Sequence, residues 1–210
     1  AGNPLLRPER THSLEFKLMA KPGRHEADLT TYVQRTSDLR SELVELDGGV
    51  LISRPVNLGT RTSVGSNLVM RGPLAGRLRY TVSASLAHQR TGDGGLPGVD
   101  ERATGYGGSL QLDYRDGAEG RAGADQARLA LRYTGPSETG LSRISSMISA
   151  DASWSHALTD RLATVLTASH LLKSPRISTA GPDVVSRSLF RAEGPNIALA
   201  LTYALRPSAP

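Results

Sequence analysis

The 210 residues carry a formal net charge of +5, contain no cysteine, and are only 4% aromatic. The lack of cysteine excludes disulfides and thiolate metal sites, and the length suits one large domain or a single barrel better than two independent domains. The arginines are scattered among apolar residues and form no basic block, which argues against nucleic acid as a partner. No stretch approaches the ~18 uncharged apolar residues of a membrane helix.

In chain order, Leu14, Phe16, Leu18 and Ala20 alternate with Glu15, Lys17 and Met19, the two-residue period of a strand whose faces meet different media. Residues 26–35 and 62–71 read as strands with a less regular pattern. Leu78, Tyr80, Val82, Ala84 and Leu86 oppose Arg79, Thr81, Ser83 and Ser85; Leu110, Leu112 and Tyr114 oppose Gln111, Asp113 and Arg115. Over residues 126–134, Leu129, Leu131 and Tyr133 face away from Arg128 and Arg132. Ile148, Ala150, Ala152 and Trp154 oppose Ser149, Asp151 and Ser153, and Leu162, Leu166 and Ala168 oppose Thr167 and Ser169. Ile197, Leu199, Leu201, Tyr203 and Leu205 close the series against Ala198, Ala200, Thr202 and Ala204. This gives about nine strands, most near the ~9 to 11 residues that cross an outer membrane at a tilt.

The apolar sets hold no Lys, Arg, Asp or Glu, while the opposite sets hold Glu15, Lys17, Glu26, Asp28, Arg79, Asp113, Arg115, Arg128, Arg132 and Asp151. Lipid on one side and water on the other would sort residues this way. A soluble β-sandwich also alternates, so periodicity leaves both readings open. The connections separate them. Tight Lys21–Arg24, short Gly72–Gly76, intermediate 116–125 and tight Leu158–Arg161 alternate with long 36–60, long 91–104, moderate 136–143 and long 173–195, which is the pattern of an up-and-down outer-membrane barrel. With the short turns on the periplasmic side, Tyr80, Tyr114, Trp154 and Tyr203 gather near that side, and Tyr106 and Tyr133 near the other, as two aromatic girdles. The first and last strands then run in the same direction. The expected fold is therefore all-β: an antiparallel up-and-down transmembrane β-barrel segment of about nine strands, an incomplete barrel with more strands upstream.

The opening Asn3-Pro4-Leu5-Leu6-Arg7-Pro8-Glu9, followed by Ser13-Leu14-Glu15, resembles a segment of TonB-dependent outer-membrane receptors in the later half of their barrel. Shorter likenesses follow at Pro55-Val56-Asn57-Leu58-Gly59, Ser63-Val64-Gly65, Gly72-Pro73-Leu74, Arg77-Leu78-Arg79-Tyr80, Leu158-Thr159-Asp160-Arg161-Leu162 and Leu199-Ala200-Leu201-Thr202-Tyr203, so nearly the whole chain is covered. Two departures are the missing Gly at Phe16–Lys17 and the tail Arg206-Pro207-Ser208-Ala209-Pro210 in place of a terminal aromatic residue. The resemblance implies that residues 1–210 are the C-terminal portion of such a barrel, without counterparts of the family's plug and energy-coupling box. It implies uptake of a scarce nutrient, a metal chelate (siderophore) or an oligosaccharide, in the outer membrane of a Gram-negative cell. The implied partners are outer-membrane lipid, upstream strands and plug of the same receptor, a TonB-type energy-coupling protein acting through that plug, and a small-molecule ligand. A structural or adhesive outer-membrane protein that closes its barrel with partner chains is the alternative of another class.

No residue pattern points to an enzyme or a cofactor. His12, His25, His88, His156 and His170 show no metal-ligand spacing, and no nucleophile elbow accompanies them; His88, His156 and His170 read as polar-tipped residues at strand ends. Inward Asp113 and Asp151 suit salt bridges to Arg128, Arg132 or Arg115 better than a membrane-embedded hydrolase. Gly92, Gly94, Gly95 and Gly98 precede no helix and form no phosphate loop. Ligand contacts are expected in loops 36–60, 91–104 and 173–195, with individual ligand residues unassigned.

Overall fold

A computed structural model describes residues 3–47, 50–57, 59–92, 101–117, 122–139, 142–172, 176–180, 186–190 and 194–204. Among them are fifteen strands: β1 (Arg10–Ala20), β2 (Glu26–Ser37), β3 (Arg40–Asp47), β4 (Val50–Asn57), β5 (Thr60–Ala75), β6 (Leu78–Gly92), β7 (Glu101–Asp116), β8 (Asp125–Thr134), β9 (Ser137–Thr139), β10 (Ser142–Ile144), β11 (Met147–Ala157), β12 (Leu162–Ser169), β13 (Arg176–Ala180), β14 (Ser186–Phe190) and β15 (Asn196–Tyr203). Nine of them form one sheet in the order β1-β2-β5-β6-β7-β8-β11-β12-β15. Every neighbouring pair is antiparallel, as an up-and-down chain requires.

Register turns the alternation of single strands into two continuous faces. Leu18 lies opposite Leu29, then Leu68, Ala84, Gly108, Tyr133 and Ile148; lower in the sheet, Tyr114 leads to Ala127, Trp154, Leu166 and Leu199. A slip of one residue at any junction would send a strand's apolar set to the wrong side, and no junction slips. The one irregularity is a shift between Pro73 and Ala75, where proline's missing N–H is tolerated. The first of these rows starts near the end of β1 and reaches the beginning of β11. Such a stagger is what tilted barrel strands produce. On β7, eight residue steps separate Tyr106 from Tyr114, about 27 Å along the strand or about 21 Å along the membrane normal at a tilt near 40°. That is close to the ~25 Å apolar band of outer-membrane barrels.

Among the described residues, no layer of protein covers the apolar face. Leu14 is 75% exposed and Leu199 70%, and among the described residues the buried apolar side chains are only Ala124, Ala150 and Ala157. A sandwich would place a second sheet there, so the sandwich alternative lacks its other half. Lipid takes that place, since burying such side chains is worth about 1.5 to 3 kcal/mol each. Among the described residues, β1 and β15 stand at the two edges of the sheet and the barrel does not close.

The connections differ in detail from the sequence expectation. β5 runs on to Ala75, so the turn expected over Gly72–Gly76 shrinks to Gly76-Arg77, with Gly76 in the left-handed region at φ 53°. β6 and β7 extend into the loop expected at 91–104, leaving 93–100 between them, which lies outside the described residues. Three expected loops carry strands of their own. β3 and β4 form a hairpin inside 36–60, and β9, β10, β13 and β14 form a four-stranded sheet in the order β14-β13-β10-β9. That order repeats β15-β12-β11-β8, the barrel strands to which the four are joined in sequence. The second sheet thus continues four barrel strands past an interruption, and Gly135-Pro136 and Gly194-Pro195 mark two of the breaks, where proline removes a ladder donor.

Candidate functional site

The polar face and the long-loop end of the sheet are the two places where side chains are arranged for more than lipid contact. On the polar face, Glu26 and Arg71 are direct cross-strand partners with Oε2 and Nε 2.6 Å apart, and Lys21 reaches the same carboxylate at 3.7 Å. Asp113 and Arg128, also directly opposite, meet at 2.7 Å, and the Gln111 amide donates to the second Asp113 oxygen at 2.7 Å. The expected Asp113 ion pair is therefore present. Asp151 has a different partner: it accepts the backbone N–H of His170 at 3.0 Å, at a residue whose φ of 56° turns the chain out of β12. Arg77 and Asp116 pair at the short-turn end.

Shallow depressions lie along this face. One of about 300 Å³ is lined by Asp113, Arg115, Gln126, Arg128, Ser153 and Ser155, and one of about 270 Å³ by Ser83, Ser85, Ser109, Arg132 and Thr134. The Ser83 and Ser109 hydroxyls bond each other at 2.7 Å. Higher up, Arg61 Nε donates to Thr91 Oγ1 at 3.5 Å beside a third depression. The ring of Tyr32 lies over its cross-strand partner Gly65, where a Cβ would come within 2.6 Å of it. A wall of hydroxyls, amides and paired ions offers hydrogen bonds to a polar solute without a net field of one sign.

At the long-loop end, two segments of the sequence resemblance come together. Asn3 Nδ2 donates to the Pro55 carbonyl at 2.9 Å, Arg7 N–H donates to Asn57 Oδ1 at 2.7 Å, and Asn57 Nδ2 donates to the carbonyls of Arg7 and Asp38 at 2.9 and 2.6 Å. Glu9 accepts the Arg40 N–H at 2.6 Å. Asn57 thus clasps the chain entering β1, the chain leaving β2 and the end of β4. Pro4 sits second in a turn closed by the Leu6 N–H on the Asn3 carbonyl at 3.3 Å, and Pro8 biases Arg7 towards an extended conformation as the chain approaches β1. The sequence marks both segments but not their contact, because 50 residues separate Arg7 from Asn57.

The histidines take separate posts. His25 Nδ1 lies 3.1 Å from Tyr80 Oη, His88 Nδ1 2.9 Å from Thr104 Oγ1, and His156 Nδ1 2.9 Å from Asp125 Oδ1. Asp125 also accepts the Trp154 indole N–H at 3.2 Å, and Trp154 stacks on His156. This cluster sits on the apolar side at the short-turn end, where an aromatic girdle is expected; Tyr106 and Tyr133 face each other at the long-loop end with ring centroids 6.1 Å apart.

Residues 1–203 match the model of a family described as the outer membrane protein beta-barrel family. No curated protein and no solved structure matches the chain.

Proposed function

Because the chain belongs to the outer membrane protein beta-barrel family and resides in the bacterial outer membrane, we propose that it is the C-terminal wall of a TonB-dependent receptor that imports a scarce nutrient. In this reading the apolar face meets lipid, the polar face lines the interior, the short turns lie in the periplasm and the long loops outside. The cargo is a metal chelate or an oligosaccharide, and the chain performs no chemistry on it. The observation that carries the proposal is the clasp of Asn3, Arg7 and Asn57, which joins the two receptor-like segments at the mouth of the wall.

The open edges fit this reading. β1 and β15 both run from the long-loop end to the short-turn end, so direct contact between them, or between copies of this chain standing side by side, would be parallel. Antiparallel closure needs an odd number of further strands, which the same native polypeptide supplies along with a plug and its contact to the energy-coupling protein. Deleting the native polypeptide should abolish uptake of one compound from a panel of iron chelates and oligosaccharides offered singly, and removing the energy-coupling protein should abolish the same uptake. Unchanged uptake across the panel, or uptake independent of coupling, overturns the proposal.

A further inference from the structure

Two inward arginines meet a carboxylate directly across the ladder, Arg71 at Glu26 and Arg128 at Asp113. Arg61 does not. It is the second residue of β5, at the long-loop lip of the polar face, and its cross-strand partners are Thr36 and Thr91. Both threonines are buried, at 9% and 8% exposure, and neither balances a charge. The Thr36 hydroxyl is bonded to that of Thr11 at 3.1 Å, while the Thr91 hydroxyl takes Arg61 Nε. The nearest carboxylates by register are Asp38, just past β2, and Glu101, opposite Thr91 on its far side. Among the described residues, Arg61 pairs with no acid.

The Arg61 side chain edges a depression of about 180 Å³ that Gln89, Thr91 and Ser137 also line, over a floor of Ala87, Ala103 and Gly105. A Cβ on Gly105 would meet nothing within 4 Å, so the floor is open. Gln89 is one inward position below Thr91, and its side-chain amide has no partner among the described residues. Ser137 belongs to β9, which packs against β7. A guanidinium has five N–H donors, so the Nε bond to Thr91 leaves four for a solute. Arg132 also stands between two serines, Ser109 and Ser149. Its row crosses β7 at Ser109 and the Arg61 row crosses at Glu101, about 26 Å apart along the strand, too far to share one small solute.

Resting on the transport reading above, we infer that Arg61 and Gln89 form a carboxylate-recognition site at the mouth of the wall, and that the imported compound carries an acidic arm. One guanidinium balances the single charge of a carboxylate and matches its two oxygens with parallel N–H donors. A phosphate ester, at about −1.5 to −2, asks for more than one cation. The Gln89 amide and the Ser137 hydroxyl add donors beside it. Both cargo classes include such compounds: a chelate with a carboxylate arm, or an oligosaccharide with a uronic acid ring. A neutral member of either class leaves Arg61 unpaired and forgoes a charge-assisted bond.

The test measures uptake by cells whose native polypeptide is wild type or variant, with its amount in the outer membrane equalised by blotting. The probes are ferric citrate against a neutral ferric trihydroxamate, and oligogalacturonate against its methyl ester. Wild type should import one acidic probe in preference to its neutral counterpart, and which pair responds identifies the source of the carboxylate. R61Q should weaken half-saturation for that probe at least about tenfold, as expected for losing a hydrogen bond to a charged group. R61K, which keeps the charge without the planar fork, should fall between the two. Q89L leaves Arg61 in place and carries the test should R61Q fail to reach the membrane; it should weaken the same probe about two- to tenfold. Import of a neutral probe alone, or undiminished import of the acidic probe by R61Q or Q89L, overturns the carboxylate site and leaves the transport reading standing. Import of none of the four overturns both.

Discussion

Leu110 and Gln111 are neighbours on β7, share one ladder and face two different media. Leu110 pairs with Val82 and Leu131 midway between Tyr106 and Tyr114, while Gln111 pairs with Thr81 and Ala130 and bonds Asp113. The comparison extends to the whole sheet. Its apolar face has smooth aliphatic rows and no charge between the lips, whereas its polar face has ion pairs, hydroxyls and shallow depressions. With so few buried apolar side chains, a protein core does not sort these residues; the solvents on each side do, and the backbone is indifferent to which face is which.

The largest expected effect breaks that difference at its centre. Leu110→Arg should cost about 2 to 4 kcal/mol of stability in lipid vesicles, as arginine does at the bilayer midplane, while Gln111→Arg one residue away should change stability by under about 0.5 kcal/mol. Equal costs would mean that the two faces do not see different media. A second substitution sharpens the picture of the polar face, which is wet but locally close-packed. Gly65→Val should cost about 1 to 3 kcal/mol by forcing the Tyr32 ring aside, and Tyr32→Ala in the same chain should recover most of it. Denaturant unfolding of the single and double variants measures the coupling; additive losses would show that the ring does not depend on the glycine. The smallest effect is expected from Arg128→Ala. Its pair with Asp113 leaves the arginine side chain 59% exposed, and such pairs contribute about 0.2 to 1 kcal/mol.

The nine-stranded sheet was legible because a period of two sustained over a strand needs two media, and sets such as Leu78 to Leu86 carry it plainly. Strand ends were less legible. Near the lips both faces become polar, so the alternation fades before the ladder does, as at Arg90 and Arg102. The hairpin β3–β4 reads as loop in the sequence because Glu42, Leu43, Val44, Glu45 and Leu46 do not sort by parity, and β9 and β10 are too short to show any period. The clasp at Asn57 and the Trp154–Asp125–His156 cluster are products of tertiary pairing. Their members are spread through the sequence, and only the pairing of strands brings them together.

The sorting of faces by medium can be measured directly, since the chain has no cysteine to interfere. Single cysteines at residues 109–114 and 126–131 of the native polypeptide in lipid vesicles, each carrying a spin label, would be tested for relaxation by oxygen, which concentrates in lipid, and by a water-soluble nickel chelate. Labels at 110, 112, 114, 127, 129 and 131 should respond to oxygen and those between them to nickel, with a period of two in antiparallel phase on β7 and β8. A flat profile, or protection of the first set from both reagents, would mean that protein covers the apolar face and would contradict a membrane-spanning wall.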